Sequence, residues 1–478
     1  MSIVAIVGGG ISGLTAAYYL SKLNAGVIKK IILLEKSSNL GGWIRTSRFE
    51  DGTLLEQGPR SIRPAGDSGK TTLELIENLG IESKILPVHL GHPSTKTRLI
   101  LQKQLNFELS KPIGIKTIFK KIPPFNKPLG LVAVKEFFTS KKEVEDESMY
   151  SFAHRRFGQE VADYVIDPLC RGVVAGDARE ISVKTILKPL FDAEQKHGSI
   201  VKGMIKRFTE SRKKAKFSQV QQSHLVKRAN DEYWRMWNLE GGLQTLPEAI
   251  EKSIRKSGVE IQQNISCKAI RFSDNKVQIS LSDGMLSVDH VFSTLKNVIM
   301  DHPNLSKWLS QIPSVSVGLV NLEFNGNCLP VEGFGFLVPS NQKSDILGIV
   351  FDSCNFPEHN GENCDKTRLS VMMGGRWFQS LFGNPEKADN DFLLRTAITA
   401  VNKHLGISQL PVKHEVHILG KCIPQYVVGH TQRVTDIRKY VEDHKLPLTL
   451  IGSSYDGVSV NDCIHNSKKN VEKYLDLP

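Results

Sequence analysis

The sequence predicts an α/β fold, on three observations from its first residues. An apolar run, Ile3 to Val7, breaks into closely spaced glycines; a helical pattern resumes near Ile11; a second β-branched run, Ile31 to Leu34, ends in Glu35. Strand, glycine turn, helix, strand and acid in that order begin a Rossmann-like unit that cradles a dinucleotide. Gly8 permits the tight bend, Gly10 lets the backbone approach a pyrophosphate, and Gly13 lets the helix pack closely on the strand. Gly9, Ile11 and Ser12 complete the turn, whose unpaired helix N–H groups receive the phosphates. The Glu35 carboxylate accepts from ribose hydroxyls and repels a 2′-phosphate, so the ligand is FAD or NAD.

The next loop bears on which of the two it is. It reads Lys36-Ser37-Ser38-Asn39-Leu40-Gly41-Gly42-Trp43-Ile44-Arg45, and further on comes Gly58-Pro59-Arg60-Ser61. Read alone it is a glycine-rich loop, in which paired glycines expose N–H donors and Arg45 offers a fixed cation to a pyrophosphate. These stretches resemble the amine oxidase superfamily of flavoproteins, where the Gly-Gly pair and its Arg lie along the flavin side of the cofactor and Gly-Pro-Arg runs near the isoalloxazine. The resemblance implies FAD. It also implies cofactor contacts at Lys36, Trp43, Cys267, Ser454, Val458 and Val460.

Later elements follow the same logic. Trp237-Asn238-Leu239-Glu240-Gly241-Gly242 through Pro247 opens a helix, and Val259–Ile261, the alternating Val277–Leu281 and Asp289–Thr294 read as strands. Leu448–Gly452 is a late strand that leads into Ser453–Ile464; in related flavoproteins the helix after it points its N-terminus at the flavin pyrimidine ring, where its dipole favours negative charge. A Rossmann-like FAD-binding domain assembled from discontinuous segments is therefore expected from residues 1–90, 238–297 and 420–478. Residues 91–237 carry helical spacing at Ser151–Phe157 and Glu160–Ile166 and are expected to form a mainly helical, membrane-associated insert. Residues 298–419, with strand patterns at Val317–Phe324 and Ile346–Phe351, are expected to form a mixed α+β substrate domain.

Composition sets the outer limits. A chain of 478 residues, 40% hydrophobic, can bury large cores and divide into two or three domains. Its seven cysteines are scattered without paired spacing, which indicates neither a disulfide framework nor a zinc site. No apolar stretch approaches the roughly 20 residues that span a bilayer. The first strand also leaves no room for a cleavable signal, so an organelle address is expected to be internal. The net charge of +12 points to an anionic partner. Lys111–Lys142 interleaves eight lysines with apolar and aromatic residues, and Lys196–Arg228 holds ten cations against Glu210 alone. That mixture fits a surface lying on anionic lipid, with a solvated helical face as the plainer alternative. No nucleic-acid recognition module is present in the sequence, so nucleic acid is not an expected partner.

Further phrases narrow the resemblance. Leu169-Cys170-Arg171-Gly172-Val173, Gly333-Phe334-Gly335-Phe336-Leu337-Val338-Pro339, Ile423-Pro424-Gln425-Tyr426 and Asn461-Asp462-Cys463-Ile464 are similar to the porphyrinogen-oxidising, animal mitochondrial branch of that superfamily, along essentially the whole chain. The resemblance implies FAD-dependent removal of six hydrogens from protoporphyrinogen IX by molecular oxygen. It further implies a homodimer attached peripherally to the intermembrane-space face of the mitochondrial inner membrane, with ferrochelatase as the expected recipient of product. One propionate is expected at Arg98. The pocket wall is expected at Leu169, Arg171, Gly172, Val173, Gly335, Leu337, Val350 and Met372, with Phe334 packed on the ring. An Arg fork suits a carboxylate because it bonds bidentately and stays charged.

No general base is assigned. Asp352 is a candidate for stabilising charge near the ring, and an ordinary turn cap is the competing reading. Gly69-Lys70-Thr71 imitates a phosphate loop but Pro64 occupies its first glycine position, and Gly452-Ser453-Ser454-Tyr455-Asp456 lacks the closing glycine of a nucleophile elbow. Two other readings remain: another oxidoreductase of the superfamily, such as an amine oxidase or a carotenoid desaturase-like enzyme, and a non-enzymatic flavin-binding membrane scaffold.

Overall fold

The computed structural model describes residues 2–24, 26–96, 98–102, 104–108, 121, 125–206, 209, 223–273, 276–362 and 365–477. Residues 111–120 and 122–124 of the first basic segment, and 207–208 and 210–222 of the second, fall outside these residues.

One layer is a five-stranded parallel sheet in the order Leu448–Leu450, His290–Ser293, Ser2–Val7, Ile28–Leu34, Glu260–Gln262. Parallel strands covered on both faces carry unbroken apolar runs, and alternate residues serve the two cores. Val4, Ile6, Ile31 and Leu33 pack with the helices Ile11–Leu23, Thr245–Lys256 and Val460–Tyr474 on one side. Ala5, Val7, Ile32 and Leu34 pack on the other, against the four-stranded sheet formed by Met285–Val288, Lys276–Leu281, Cys267–Ser273 and Ile299–Met300.

A second, seven-stranded sheet runs in the order Lys413–Pro424, Ser314–Asn325, Lys366–Gly375, Ile346–Phe351, Gly335–Leu337, Arg98–Gln102, Gln104–Glu108. Its period of two divides it sharply. Phe324, Phe336, Ile349, Phe351, Val371 and Met373 point into a core closed by the helix Asn390–Leu405. Gly335, Leu337, Val350, Ser370 and Met372 take the opposite face, on which Leu337, Val350 and Met372 are only half-buried.

Helices Met149–Phe157, Asp167–Val174 and Lys188–His197 surround a third core of Phe152, Cys170, Ile181 and Phe191. Two strands break the helical expectation for 91–237. Arg98–Gln102 and Gln104–Glu108 extend the seven-stranded sheet, because Gly335–Leu337 would otherwise be an unpaired edge. The expected boundaries at 238 and 420 also cut continuous strands, Trp234–Leu239 and Lys413–Pro424. Trp237 belongs to the first of these, and the helix expected there starts only at Thr245, after the Gly241-Gly242 turn. Among the described residues, no helix is long and apolar enough to cross a membrane, and no cluster of His, Cys, Asp or Glu could hold a metal ion.

Candidate active site

The glycine turn forms a cradle whose dimensions exclude side chains except on one side. Gly8 has φ +105°, and a Cβ there would meet Thr294 Oγ1 at 2.0 Å; a Cβ on Gly13 would sit 1.9 Å from the Gly8 carbonyl oxygen. Above Gly10 the space is open, the nearest heavy atom being Gly42 Cα at 3.9 Å. Gly10 also bridges Gly41 in register, so the second glycine pair lies directly on the first. The helix starting at Ile11 has no side-chain cap, which leaves its first N–H groups for an anion. Open space, uncapped amides and glycines packed to backbone contact fit the pyrophosphate of FAD.

Glu35 ends the second strand and accepts from Gly9 N–H at 2.7 Å and from the Ser37 N–H and hydroxyl at 2.9 and 2.8 Å. Its carboxylate thus closes the cradle and presents its remaining lone pairs where ribose hydroxyls are expected. Arg45 bonds the Gly42 carbonyl through Nε at 3.2 Å, Trp43 is exposed, and Gly58 is pressed on the Trp43 carbonyl, where a Cβ would come within 2.0 Å. Lys36 is exposed, and Cys267 is half-buried two residues beyond Ile265, whose N–H donates to the Glu35 carbonyl. A cavity of about 200 Å³ is lined by Asn39, Leu40, Arg45, Gln57 and Gln244.

The last helix meets the first. The Ser12 hydroxyl hydrogen-bonds the Cys463 thiol, which burial pushes up to about 11. Asn461 Nδ2 donates to the Arg63 carbonyl, tying this helix to the segment that holds Pro59, Arg60 and Ser61. Ser454 is buried, Val458 and Val460 are half-buried, and the Ser459 hydroxyl caps the helix by accepting from Asp462 N–H at 3.1 Å. Tyr426, whose hydroxyl donates to the Ser453 carbonyl and accepts from Gly457 N–H, fixes the loop before the helix. Sequence reasoning assigned neither Asn461 nor Tyr426 a role, although both stand in the phrases it singled out.

The cofactor segment then reaches the second sheet. Arg60 Nη1 lies 3.7 Å from Asp352 Oδ1, and Asp352, one residue past the strand Ile346–Phe351, accepts from the Ser370 hydroxyl at 2.5 Å. Asn321 lies on the other side of that hydroxyl, its Oδ1 2.6 Å from Ser370 Oγ, and donates through Nδ2 to the Glu56 carbonyl. Glu56 itself is wholly buried, and burial raises its carboxyl above the ordinary range against hydrogen bonds from Leu243 N–H, Asn238 and Thr46. Asp352 is thus held by an arginine and a serine, more than a turn cap would need. Nothing in the sequence pairs Arg60 with Asp352, because one lies in the loop after the strand Leu54–Glu56 and the other just past a strand of the seven-stranded sheet.

From Asp352 the half-open face of the second sheet runs through Val350 and Gly335 to Leu337, with Met372 beside them. The helix Asp167–Val174 lies over its far end. Gly172 touches Leu337, and a Cβ there would meet Leu337 Cδ2 at 2.4 Å; Leu169 is half-buried, Val173 exposed and Arg171 buried. Arg98 takes the register position of Gly335 on the neighbouring strand; its side chain lies outside the described residues. Phe334 sits apart from the face, half-buried against Val88, Met236 and Phe356. The result is a half-open slot with an aliphatic floor of Leu337, Val350 and Met372, with Arg60 beside Asp352 at one end and the buried Arg171 near the other.

Lys296 links the strand His290–Ser293 of the parallel sheet to the start of the strand Ser314–Asn325. Its Nζ donates to the Ile312 carbonyl and to Ser314 Oγ, and burial lowers its pKa to about 8.

The nucleotide cradle and the slot beside it define a flavin-dependent oxidoreductase. The chain belongs to the flavin containing amine oxidoreductase family, whose model matches residues 11–472. Within it the chain stands with the protoporphyrinogen oxidases: it is 40% identical to that of Bos taurus, over 99% of this chain and 98% of the other, and 39% identical to that of Homo sapiens, over 98% and 97%. A solved chain from Exiguobacterium sp. 255-15 shares the fold, with a TM-score of 0.76 at 24% identity over 99% and 98% of the two chains.

Proposed function

We propose that this chain is an FAD-dependent oxidase that converts protoporphyrinogen IX to protoporphyrin IX, the penultimate step of haem synthesis. The observation that carries this reading is the direct join, through Arg60 and Asp352, between the cofactor cradle and a half-apolar slot. Likeness to the cattle and human enzymes along nearly the whole chain supports the substrate.

When bound, FAD supplies a hydride acceptor at N5 and passes the electrons to oxygen as H2O2, three times per macrocycle. The residues of the chain do the rest. The amides at Gly10–Gly13 would hold the pyrophosphate and Glu35 the ribose, and the N-terminus of the last helix would supply positive potential to the flavin. Gly335, Leu337, Val350 and Met372 offer the macrocycle an apolar surface that excludes water. Asp352, kept in place by Arg60 and Ser370, is positioned to stabilise positive charge that develops on the pyrroles. Positioning and charge matter more than a strong base, because the remaining protons leave through imine and enamine tautomers.

Anaerobic mixing of the purified yellow protein with protoporphyrinogen IX tests this. The expected result is bleaching of the flavin, followed by porphyrin fluorescence once air is admitted. Holoprotein that stays oxidised would exclude the reading and favour a scaffold.

The same proposal extends to location: a homodimer held peripherally on the intermembrane-space side of the mitochondrial inner membrane, delivering product to ferrochelatase. What supports attachment is the helix Leu129–Phe138, which exposes Leu131, Val134 and Phe138 to solvent, beside exposed Met204 and Ile205 and the lysines 135, 202 and 206. Apolar side chains flanked by cations suit an anionic lipid surface.

A further inference from the structure

Among the described residues, one charged side chain at the end of the slot remote from Asp352 has no acid in ion-pairing reach. Arg171 lies on the helix Asp167–Val174 and is only 5% exposed. Its Nη2 reaches the Ile346 carbonyl at a long 3.4 Å, and its Nε is buried without a partner. The guanidinium carbon stands 4.2 Å from the centre of the Trp377 ring. Asp167 and Asp177 act on it through space, yet among the described residues no carboxylate comes within ion-pairing distance of it. Asp167 is engaged elsewhere: Oδ2 accepts from Ser340 N–H at 2.6 Å and Oδ1 lies 3.8 Å from Arg179.

A buried cation without a counter-ion is costly, and an aromatic face relieves that cost only in part. Burial accordingly lowers the pKa of Arg171. The Nε–Nη2 edge is the edge with which a guanidinium grips a carboxylate side-on, and here it is nearly unengaged. Gly172, next in sequence, rests on Leu337, while Arg98 pairs with Gly335.

We infer that Arg171 is a carboxylate-binding residue for the outer end of the slot, and that it receives one propionate of a macrocycle lying on Gly335, Leu337, Val350 and Met372. The inference rests on the reading of the chain as a porphyrinogen oxidase and adds to it a second acid-recognising position, distinct from Arg98. Trp377 orients the guanidinium; the substrate carboxylate supplies the missing negative charge and replaces the long bond to Ile346.

The test compares two probes, protoporphyrinogen IX and its dimethyl ester, on the flavin-loaded wild type and on Arg171→Met and Arg171→Lys. For the diacid, Arg171→Met is expected to raise KM by about tenfold or more and to lower kcat less than that. For the diester the rise should be several-fold smaller, and Arg171→Lys should recover part of the loss on the diacid. Equal penalties on diacid and diester, or no penalty on either, would overturn the assignment. If Arg171→Met fails to fold or to retain flavin, Arg171→Lys decides: a diacid-to-diester preference equal to that of wild type overturns it, a reduced one sustains it. Wild type that oxidises neither probe would instead overturn the oxidase reading, and the assignment with it.

Discussion

Single residues set the tolerances of the cradle. Gly13 is the sharpest case, because a methyl group at that position would lie 1.9 Å from the Gly8 carbonyl oxygen, a backbone atom that cannot swing away. Gly13→Ala should lift the first helix from the sheet, destabilise the protein by about 1–3 kcal/mol, and leave it colourless on purification, as read by visible absorbance. Retention of flavin at the wild-type level would refute this account of the turn. Buried histidines make a second prediction at the same scale. His359 bonds the Leu239 carbonyl at 3.0 Å, stacks on Phe356, and is held by burial at a pKa of about 4. Burial also brings His290 and His430 to about 4. The unfolded chain takes up these protons near pH 6.5, whereas the folded chain resists them to about pH 4. Their stability contribution is therefore complete above pH 6.5 and falls as the pH drops toward 4, by up to roughly 3 kcal/mol for each. Melting temperature should decline across that window, and His359→Gln should flatten part of the decline; a rise on acidification would contradict the sign.

At the scale of elements, the helical insert is pinned by charge as well as by its apolar core. Glu136, fully buried on the helix Leu129–Phe138, pairs with the equally buried Arg156. The same carboxylate accepts from the Ser199 hydroxyl and from Ile200 and Val201 N–H, capping the next helical segment. One side chain thereby sets the position of the face that carries Leu131, Val134 and Phe138. Glu136→Ala should cost about 2–4 kcal/mol, since it takes from Arg156 the nearer of its two buried carboxylates, leaving Glu194 at 3.4 Å, and uncaps a helix. Proteolysis of the folded protein should then begin within the insert, while flavin absorbance persists; simultaneous loss of both would mean that the insert is not a separable unit. Much at this scale was legible in sequence. Apolar runs with glycine turns gave the parallel strands, since strands buried on both faces need no polar alternation. The exceptions are instructive. Arg98–Gln102 was read as part of a helical segment because a strand completing the edge of a distant sheet is specified by its partner, Gly335–Leu337, more than by its own pattern.

The whole molecule places the candidate site between two sheets and an apolar, basic face on the insert. If that face docks on lipid, the protein should float with vesicles containing anionic lipid at low salt and be released as salt rises, because exposed charges are screened within about a nanometre. Phe138→Asp should weaken flotation without changing turnover of substrate in detergent. Protein that remains at the bottom of the gradient in low salt would remove the attachment proposal and leave the oxidase reading intact.

The sequence by itself determined the nucleotide cradle and the parallel sheet beneath it, because both are local: a glycine must stand where a Cβ cannot, and an apolar run must be covered. Its likeness to flavoproteins also pointed to the residues of the slot. Tertiary structure alone decided that Gly335, Leu337, Val350 and Met372 share one face, that Arg60 meets Asp352, and that Arg171 is buried with no ion-paired acid among the described residues. Those facts depend on strand register and on which helix crosses which sheet. They are fixed by contacts between segments far apart in the chain, and local spacing carries no record of them.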